Sequence, residues 1–348
     1  MHPIQADSIG LTQLVERWRC ILMKAVFYYQ YGSPDVLKLE EIEKPLPKEN
    51  QVLVKVHASS INAGDYRMMR ASPYLMRLLV GGLFKPKDPR LGSDIAGRVE
   101  AVGENVQQFH PGDEVFGFSH GAFAEYVCSR ESSVVLKPAN ISFEEAAAVP
   151  VAAITALQGL RDAGNIQPGQ KVLIQGASGG VGMFAVLLAK LFGAEVTGVC
   201  SPRNLDMVRS LGADHVIDYT QEDFTRNQQR YDLIFAVNGY HPLSAYKRAL
   251  SPQGTYVCAG GTLTQIFQAM ILGSLMSQSG GKKLRSMGIA KVKQEDLATL
   301  AEQLKAGKIV PFIDRRYPLS EIVDAFRYVE DEHAQGKVVI TMEPDNQI

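Results

Sequence analysis

The feature that most constrains this chain is a glycine cluster, Gly176-Ala177-Ser178-Gly179-Gly180-Val181-Gly182. It lies between a short apolar stretch, Lys171–Gln175, and a long apolar run, Val181–Phe192, closed by Gly193. Strand, tight turn, helix is the order a pyrophosphate requires. Glycine lets the phosphates approach the backbone, and the helix start offers unpaired N–H groups and partial positive charge. The GxxGxxG spacing is a variant of the dinucleotide fingerprint, and the strand–turn–helix setting gives it weight. A turn kept only for packing is the alternative.

The rhythm downstream agrees. Strands are expected at Glu195–Cys200, His215–Tyr219, Leu233–Val237 and Thr255–Ala259, with helices at Asn204–Leu211 and Pro242–Leu250. Alternation of this kind implies an α/β fold with a parallel sheet covered on both faces. Upstream, residues 24–138 read as β-rich. Val52, Val54 and Val56 alternate with Leu53, Lys55 and His57 as in a half-buried strand. Further strands are expected at Ile95–Val102, Glu114–Phe118 and Ala122–Cys128. Ser142 and Glu145 form a capping box, and Pro150 divides two helical pieces, the second reaching about Ala163. In the tail, Leu297, Leu300 and Leu304 share a helical face. Ser320 is expected to cap a helix that turns Ile322, Phe326 and Val329 inward, and Val338–Met342 is a last strand.

Length and composition narrow the functions. A chain of 348 residues suggests two domains. A net charge of −1, with no long basic run, makes nucleic acid and anionic membrane poor partners. The four cysteines, Cys20, Cys128, Cys200 and Cys258, form no close pair, so neither a disulfide framework nor a zinc finger is expected, and a reducing, cytoplasmic setting fits. The uncharged runs Val172–Ala189 and Ala249–Gly281 are interrupted by glycine or rich in polar residues, so no membrane span is expected. Residues 1–22 precede Met23-Lys24-Ala25-Val26, which looks like a natural start. They have no secretory apolar core and read as an N-terminal extension.

NAD sites place a carboxylate about 20 residues beyond the glycine loop, on the ribose hydroxyls. None stands at the end of the second strand, because Glu195 is at its beginning. Ser201 and Arg203 are there instead, suited to a 2′-phosphate, which favours NADPH. Asp206 weakens this reading slightly, and Arg203 equally fits a solvated helix start.

Several segments together carry a resemblance. They are Met23-Lys24-Ala25, Ser60-Ile61-Asn62-Ala63-Gly64-Asp65, Leu91-Gly92-Ser93-Asp94-Ile95-Ala96-Gly97, Gly112-Asp113-Glu114-Val115, Thr155-Ala156-Leu157, the glycine loop, Leu211-Gly212-Ala213-Asp214 and Gly336-Lys337-Val338-Val339. The chain resembles the zinc-free, quinone-oxidoreductase-like branch of the medium-chain dehydrogenase/reductase superfamily, and is similar to the subgroup of reticulon-interacting oxidoreductases and enone reductases. The resemblance implies a GroES-like β-rich domain (23–149 and 291–348) and a Rossmann NADPH-binding domain (150–290), with nicotinamide and substrate in the cleft between them. It also implies a homodimer.

The zinc members' cysteine aligns with Asn62 or Ala63, their Gly-His-Glu reads Gly92-Ser93-Asp94, and no cysteine lobe follows Asp113. Without a Lewis acid, an already electrophilic acceptor is the expected substrate. What the resemblance implies for the site is specific. Ser178, Gly179, Gly180 and Val181 would meet the pyrophosphate. Ser201, Arg203 and Tyr219 would lie near the 2′-phosphate, and Thr155 and Gly260 near the nicotinamide. On the substrate side, Asn62, Asp65 and Tyr66 are the catalytic candidates. Asn62 can bond a carbonyl, and Tyr66 can donate to an enolate oxygen or stack on a planar acceptor. Asp65 equally fits a helix cap, Asn62 a turn and Tyr219 a packed strand end. Apolar side chains in Tyr74–Phe84 and Leu263–Met276 would wall a hydrophobic pocket, core or dimer surface. The functions consistent with this reading are an NADPH-dependent quinone or enone reductase, an NADPH-binding interaction protein with little turnover, and an alcohol dehydrogenase.

Overall fold

A computed structural model describes residues 22–71, 77, 82–261, 281–331 and 334–342. The extension up to residue 21, most of the segment 74–84 and all of 263–276 lie outside the described residues.

The chain opens with a hairpin-like pair, β1 (Leu22–Tyr28) and β2 (Leu37–Glu43). It continues through β3 (Gln51–Ser60), α1 (Ala63–Arg70), β4 (Asp94–Val102), β5 (Glu114–Phe118), β6 (Tyr126–Arg130) and β7 (Val134–Leu136). The helices α2 (Phe143–Ala147) and α3 (Pro150–Gln158) lead to the second half. There follow β8 (Lys171–Gln175), α4 (Gly180–Leu191), β9 (Glu195–Cys200), α5 (Leu205–Ser210), β10 (His215–Asp218), β11 (Tyr231–Ala236), α6 (Leu243–Ala249), β12 (Leu250–Cys258) and β13 (Lys283–Ser286). The tail contributes α7 (Gln294–Lys305), β14 (Ile313–Pro318), α8 (Ile322–Glu330) and β15 (Lys337–Thr341).

Among the described residues, six strands form one wholly parallel sheet in the order β10-β9-β8-β11-β12-β13. This is the Rossmann order. The strand order reverses between β8 and β11, so the ligand crevice lies beyond their carboxyl ends. Val172, Leu173 and Ile174 are all fully buried. Val172 and Ile174 pack with Met183, Phe184 and Leu157 from α4 and α3. Leu173 packs on the opposite face with Leu243 and Tyr246 from α6. Two covered faces explain why Val172, Leu173 and Ile174 follow one another without a polar residue, and each such side chain contributes about 1.5–3 kcal/mol.

The second sheet runs β14-β15-β3-β4-β5-β7, with β6 also on β3, so the tail returns to the first domain. Leu53, expected on a solvent face, is fully buried. β3 is paired along both edges, with β4 on one and with β6 and β15 on the other, and is central in its sheet. The capping box forms as expected: the Glu145 amide donates to Ser142 Oγ at 3.1 Å, and the Ser142 amide donates to Glu145 Oε2 at 2.8 Å. Pro150 opens α3, whose last turn loosens into a π-turn through Ala163. Ser320 does not cap α8. It sits inside a 3-10 turn, Leu319–Glu321, because Pro318 has already ended the strand there. The strands β2, β13 and β14 carry no clear alternation and are set by their partners.

Two glycines make opposite predictions. A Cβ on Gly182 would collide with the Gly176 carbonyl oxygen, where the helix closes on the strand. A Cβ on Gly64, inside α1, meets nothing within 4 Å. Denaturant unfolding should show Gly182→Ala destabilised and Gly64→Ala stabilised by about 0.5 kcal/mol, from lost backbone freedom in the unfolded chain.

Candidate active site

The glycine loop sits at the carboxyl end of β8. Gly176 turns the chain with φ of +82° and donates its amide to Val199 O at 3.1 Å. Gly179, extended at φ −82° and ψ 171°, precedes α4 and, having no side chain, leaves the first amides of that helix uncapped by it. A Cβ on Gly179 would stand in open space, with Gly176 O the nearest atom at 3.6 Å. That open cradle, under a twelve-residue helix start, is the room a pyrophosphate needs. Gly180 has a different reason: a Cβ there would lie 2.9 Å from Lys337 Cδ. Val181 packs partly into the core beneath the loop.

Ser201, Tyr219 and Gly260 follow the carboxyl ends of β9, β10 and β12, on the same edge of the sheet. Ser201 precedes a 3-10 turn carrying the exposed Arg203. Tyr219 follows β10, donates its amide to Cys200 O at 3.3 Å, and meets Tyr240 edge-on at 6.3 Å, both rings half-exposed. No carboxylate reaches this corner from β9: Glu195 bonds His215 at 3.1 Å at the far end of the sheet, and Asp206 is paired with Arg209 at 2.8 Å. Sequence reasoning missed Asn204. It is buried, its Nδ2 donates to Ser178 Oγ at 2.8 Å, and its Oδ1 has no partner among the described residues. It ties the glycine loop to the Ser201 turn. The only sequence signal for it is an asparagine at a helix start. Thr155, on α3, donates Oγ1 to Val151 O at 2.7 Å. Gly260 follows β12, where a Cβ would collide with the Val237 carbonyl.

Asn62, expected on the substrate side, belongs to a polar cluster built around the buried Asp94. Asp94, the first residue of β4, is completely buried beside Ser60, the last residue of β3. Its Oδ1 accepts the Val151 amide at 2.8 Å, near the start of α3. Its Oδ2 accepts Ser60 Oγ at 2.7 Å and Asn62 Nδ2 at 2.8 Å, and it pairs with Lys337 Nζ at 3.3 Å. Lys337 is 3% exposed and donates also to Asn62 Oδ1 at 2.6 Å and Ile61 O at 3.1 Å. The neighbouring Gly336 donates its amide to Ser178 O at 2.8 Å, so β15 links this cluster directly to the cofactor loop. Asp94 and Lys337 were not among the candidates. Each is a charge abutting an apolar strand run, a costly placement unless a distant partner exists.

Asp65 and Tyr66 lie on α1 just beyond. Asp65 is 1% exposed; its Oδ2 accepts the Asn62 amide at 2.7 Å, and its Oδ1 has no partner among the described residues. Burial, assisted by the nearby Asp94 charge, pushes its carboxyl up to about 7, against the pull of the Asn62 amide and Lys337. It stands behind Asn62 as a cap. Tyr66 is partly buried against the core of the first domain. Among the described residues, no group of three or more His, Cys, Asp or Glu is placed to hold a metal. Where a cation would meet Asp94, the Lys337 ammonium already stands.

Family models match both halves: "Alcohol dehydrogenase GroES-like domain" over residues 48–139 and "Zinc-binding dehydrogenase" over 211–340. The chain is 37% identical to the 2-methylene-furan-3-one reductase of Solanum lycopersicum, over 91% of this chain and 79% of that protein. It is 34% identical to the chloroplastic NADPH-dependent alkenal/one oxidoreductase of Arabidopsis thaliana, with the same coverage. The solved quinone oxidoreductase of Coxiella burnetii superposes with a TM-score of 0.82 at 30% identity, covering 93% of this chain and 100% of that one.

The chain belongs to the medium-chain dehydrogenase/reductase superfamily. As a medium-chain dehydrogenase/reductase it is an oxidoreductase, and the superfamily implies a nicotinamide cofactor, which the open cradle at Gly179 fits. No helix among the described residues is long and apolar enough to cross a membrane.

Two expectations follow for this enzyme. Gly179→Val should leave the melting temperature near that of the parent while weakening nicotinamide dinucleotide binding more than about tenfold in isothermal titration, since the added methyls enter the cradle and not the core. Asp65, with a folded pKa of about 7 and an unfolded one near 4, binds its proton more tightly when folded, so stability falls as pH rises between those values and then levels off. Denaturant midpoints measured across pH should show this slope, and Asp65→Asn, which keeps an acceptor for the Asn62 amide, should flatten it.

Proposed function

We propose that this oxidoreductase uses NADPH to reduce quinones or the activated C=C bond of α,β-unsaturated carbonyls, without zinc. The observation that carries the reading is the occupant of the substrate-side polar cluster. Where alcohol chemistry needs a Lewis acid, this chain offers a half-buried amide, Asn62, backed by an ammonium, Lys337, and a carboxylate, Asp94. Donors of this kind hold an oxygen that is gaining charge, but activate an alcohol poorly.

The nicotinamide, when bound, supplies a hydride to the electrophilic carbon or quinone. The other steps belong to the chain. Ser178, Gly179, Gly180 and Val181 receive the pyrophosphate at the start of α4. Ser201, Arg203 and Tyr219 receive the 2′-phosphate, and the lack of a competing carboxylate at the end of β9 favours that group over a bare ribose. Thr155 and Gly260 border the nicotinamide, which fixes how the acceptor must lie. Asn62 donates to the carbonyl oxygen, Asp65 holds Asn62 by its backbone, and Tyr66 stacks on or donates to the planar acceptor. One proton, from water or Tyr66, balances each hydride delivered. The relatives named for enones, for NADPH and for a quinone support the same reading. A homodimer acting in the cytoplasm on a small hydrophobic electrophile, with no nucleic-acid or membrane partner, completes the proposal.

The test is cofactor consumption by purified, metal-analysed protein against paired panels of quinones and enones, with NADPH and NADH side by side. The expected outcome is turnover on one panel, no stoichiometric zinc, and an NADPH preference that Arg203→Ala reduces roughly ten- to a hundredfold, the worth of a charge-assisted bond. NADPH binding with no turnover would instead support the interaction protein. Bound zinc with alcohol oxidation would make it an alcohol dehydrogenase.

A further inference from the structure

The buried cluster around Asp94 has more contacts than a helix cap or an ion pair needs, and its chemistry admits one arrangement. Lys337 Nζ carries only donors, so the Asn62 atom it meets at 2.6 Å is Oδ1. Nδ2 then faces Asp94 Oδ2 at 2.8 Å. Turning the amide over would set NH2 against an ammonium and an oxygen against a carboxylate, two repulsive contacts in place of two attractive ones. Lys337 cannot swing aside. Its three hydrogens go to Asn62 Oδ1, Ile61 O and Asp94 Oδ2, and its stem lies over Gly180. Asp94 is equally committed, to the Val151 amide through Oδ1 and to Ser60, Asn62 and Lys337 through Oδ2. With Asp94 at 0% and Lys337 at 3% exposure, water does not compete. Asn62 is the partly exposed member, and only one of its two Nδ2 hydrogens is used by Asp94.

We infer that Asp94 and Lys337 are positioning residues that hold the Asn62 amide in a single orientation, leaving its second Nδ2 hydrogen for the carbonyl oxygen of a quinone or enone. The inference rests on the function proposed above and deepens it. As hydride reaches the acceptor, negative charge gathers on that oxygen. A donor whose direction is fixed beforehand stabilises the charge without reorganising. The carboxylate that orients Asn62 also holds the start of α3, which carries Thr155. The groups on the two sides of the acceptor are therefore set by one residue.

The test compares the parent with Asn62→Ala, with the charge-neutral pair Asp94→Asn/Lys337→Met, and with all three changes combined. Removing a donor to a developing oxyanion costs roughly a hundredfold in kcat. Asn62→Ala and the pair should each show about this loss, with KM for NADPH within about threefold of the parent. The triple variant should be no worse than Asn62→Ala, because asparagine at 94 keeps an oxygen for the Val151 amide and the pair then acts only through Asn62. Losses that multiply in the triple variant would overturn the proposal. Lys337→Gln, which leaves Asp94 a hydrogen-bond partner but removes one of the two charges that set the amide, gives the same decision if the pair does not fold: an intermediate kcat loss that vanishes in the Asn62→Ala background is expected, and an unchanged kcat is fatal. A second readout needs no turnover. In asparagine-labelled protein, the Asn62 amide proton held by Asp94 should be shifted downfield and exchange slowly with solvent, the pair should remove both features, and their persistence in the pair would also overturn the proposal. A parent enzyme silent on both panels would remove the proposed function, while the amide signals would still decide the orientation.

Discussion

One buried carboxylate organises this enzyme. Asp94 has no contact with water, and a bare charge in that position would be ruinous to the fold. It is tolerated because four donors converge on it: the Val151 amide, Ser60 Oγ, Asn62 Nδ2 and Lys337 Nζ. Breaking such a pair from one side typically costs about 3–5 kcal/mol, which is a large share of a domain's net stability. The consequence is geometric. The end of β3, the start of β4, the start of α3 and the start of β15 are brought to one point.

The cofactor loop is attached to the same frame. Gly336 donates to Ser178 O, and Gly180 leaves room for the Lys337 stem. The loop's glycines therefore have separate reasons. Gly176 takes a positive φ to make the turn, Gly182 lets helix and strand close, Gly180 admits a side chain of the other domain, and Gly179 alone borders open space. A fingerprint that looks uniform in sequence is four different steric requirements. The substrate side differs in kind. Asn62 is held at its backbone by Asp65 and at its amide by Asp94 and Lys337, so both ends of one short side chain are determined.

Much of the fold was legible. The strand Lys171–Gln175 and the strand Glu195–Cys200 have the bounds their apolar runs imply, and the Ser142–Glu145 box forms with the expected bonds. Leu53 was misplaced because periodicity reports one face and says nothing of a second cover. Ser320 was misplaced because a 3-10 turn after Pro318 shifts the helix start by one residue. At the site, the loop residues and Ser201, Arg203 and Tyr219 fall on one edge of the sheet. Asn204 and the Lys337–Asp94 pair were not legible, since their partners are far away in the chain.

What the sequence alone determined is local: a strand, a glycine turn and a helix in a parallel series, a β-rich half before it, and the residues offered to a dinucleotide. Neighbouring residues carry those signals, because backbone conformation and side-chain periodicity are properties of short segments. Only the tertiary structure decided why Asp94 and Lys337 are there. A buried charge is stable through partners supplied by other segments, here residues 60–62, 94, 151 and 337. No spacing along the chain encodes that four such segments will meet.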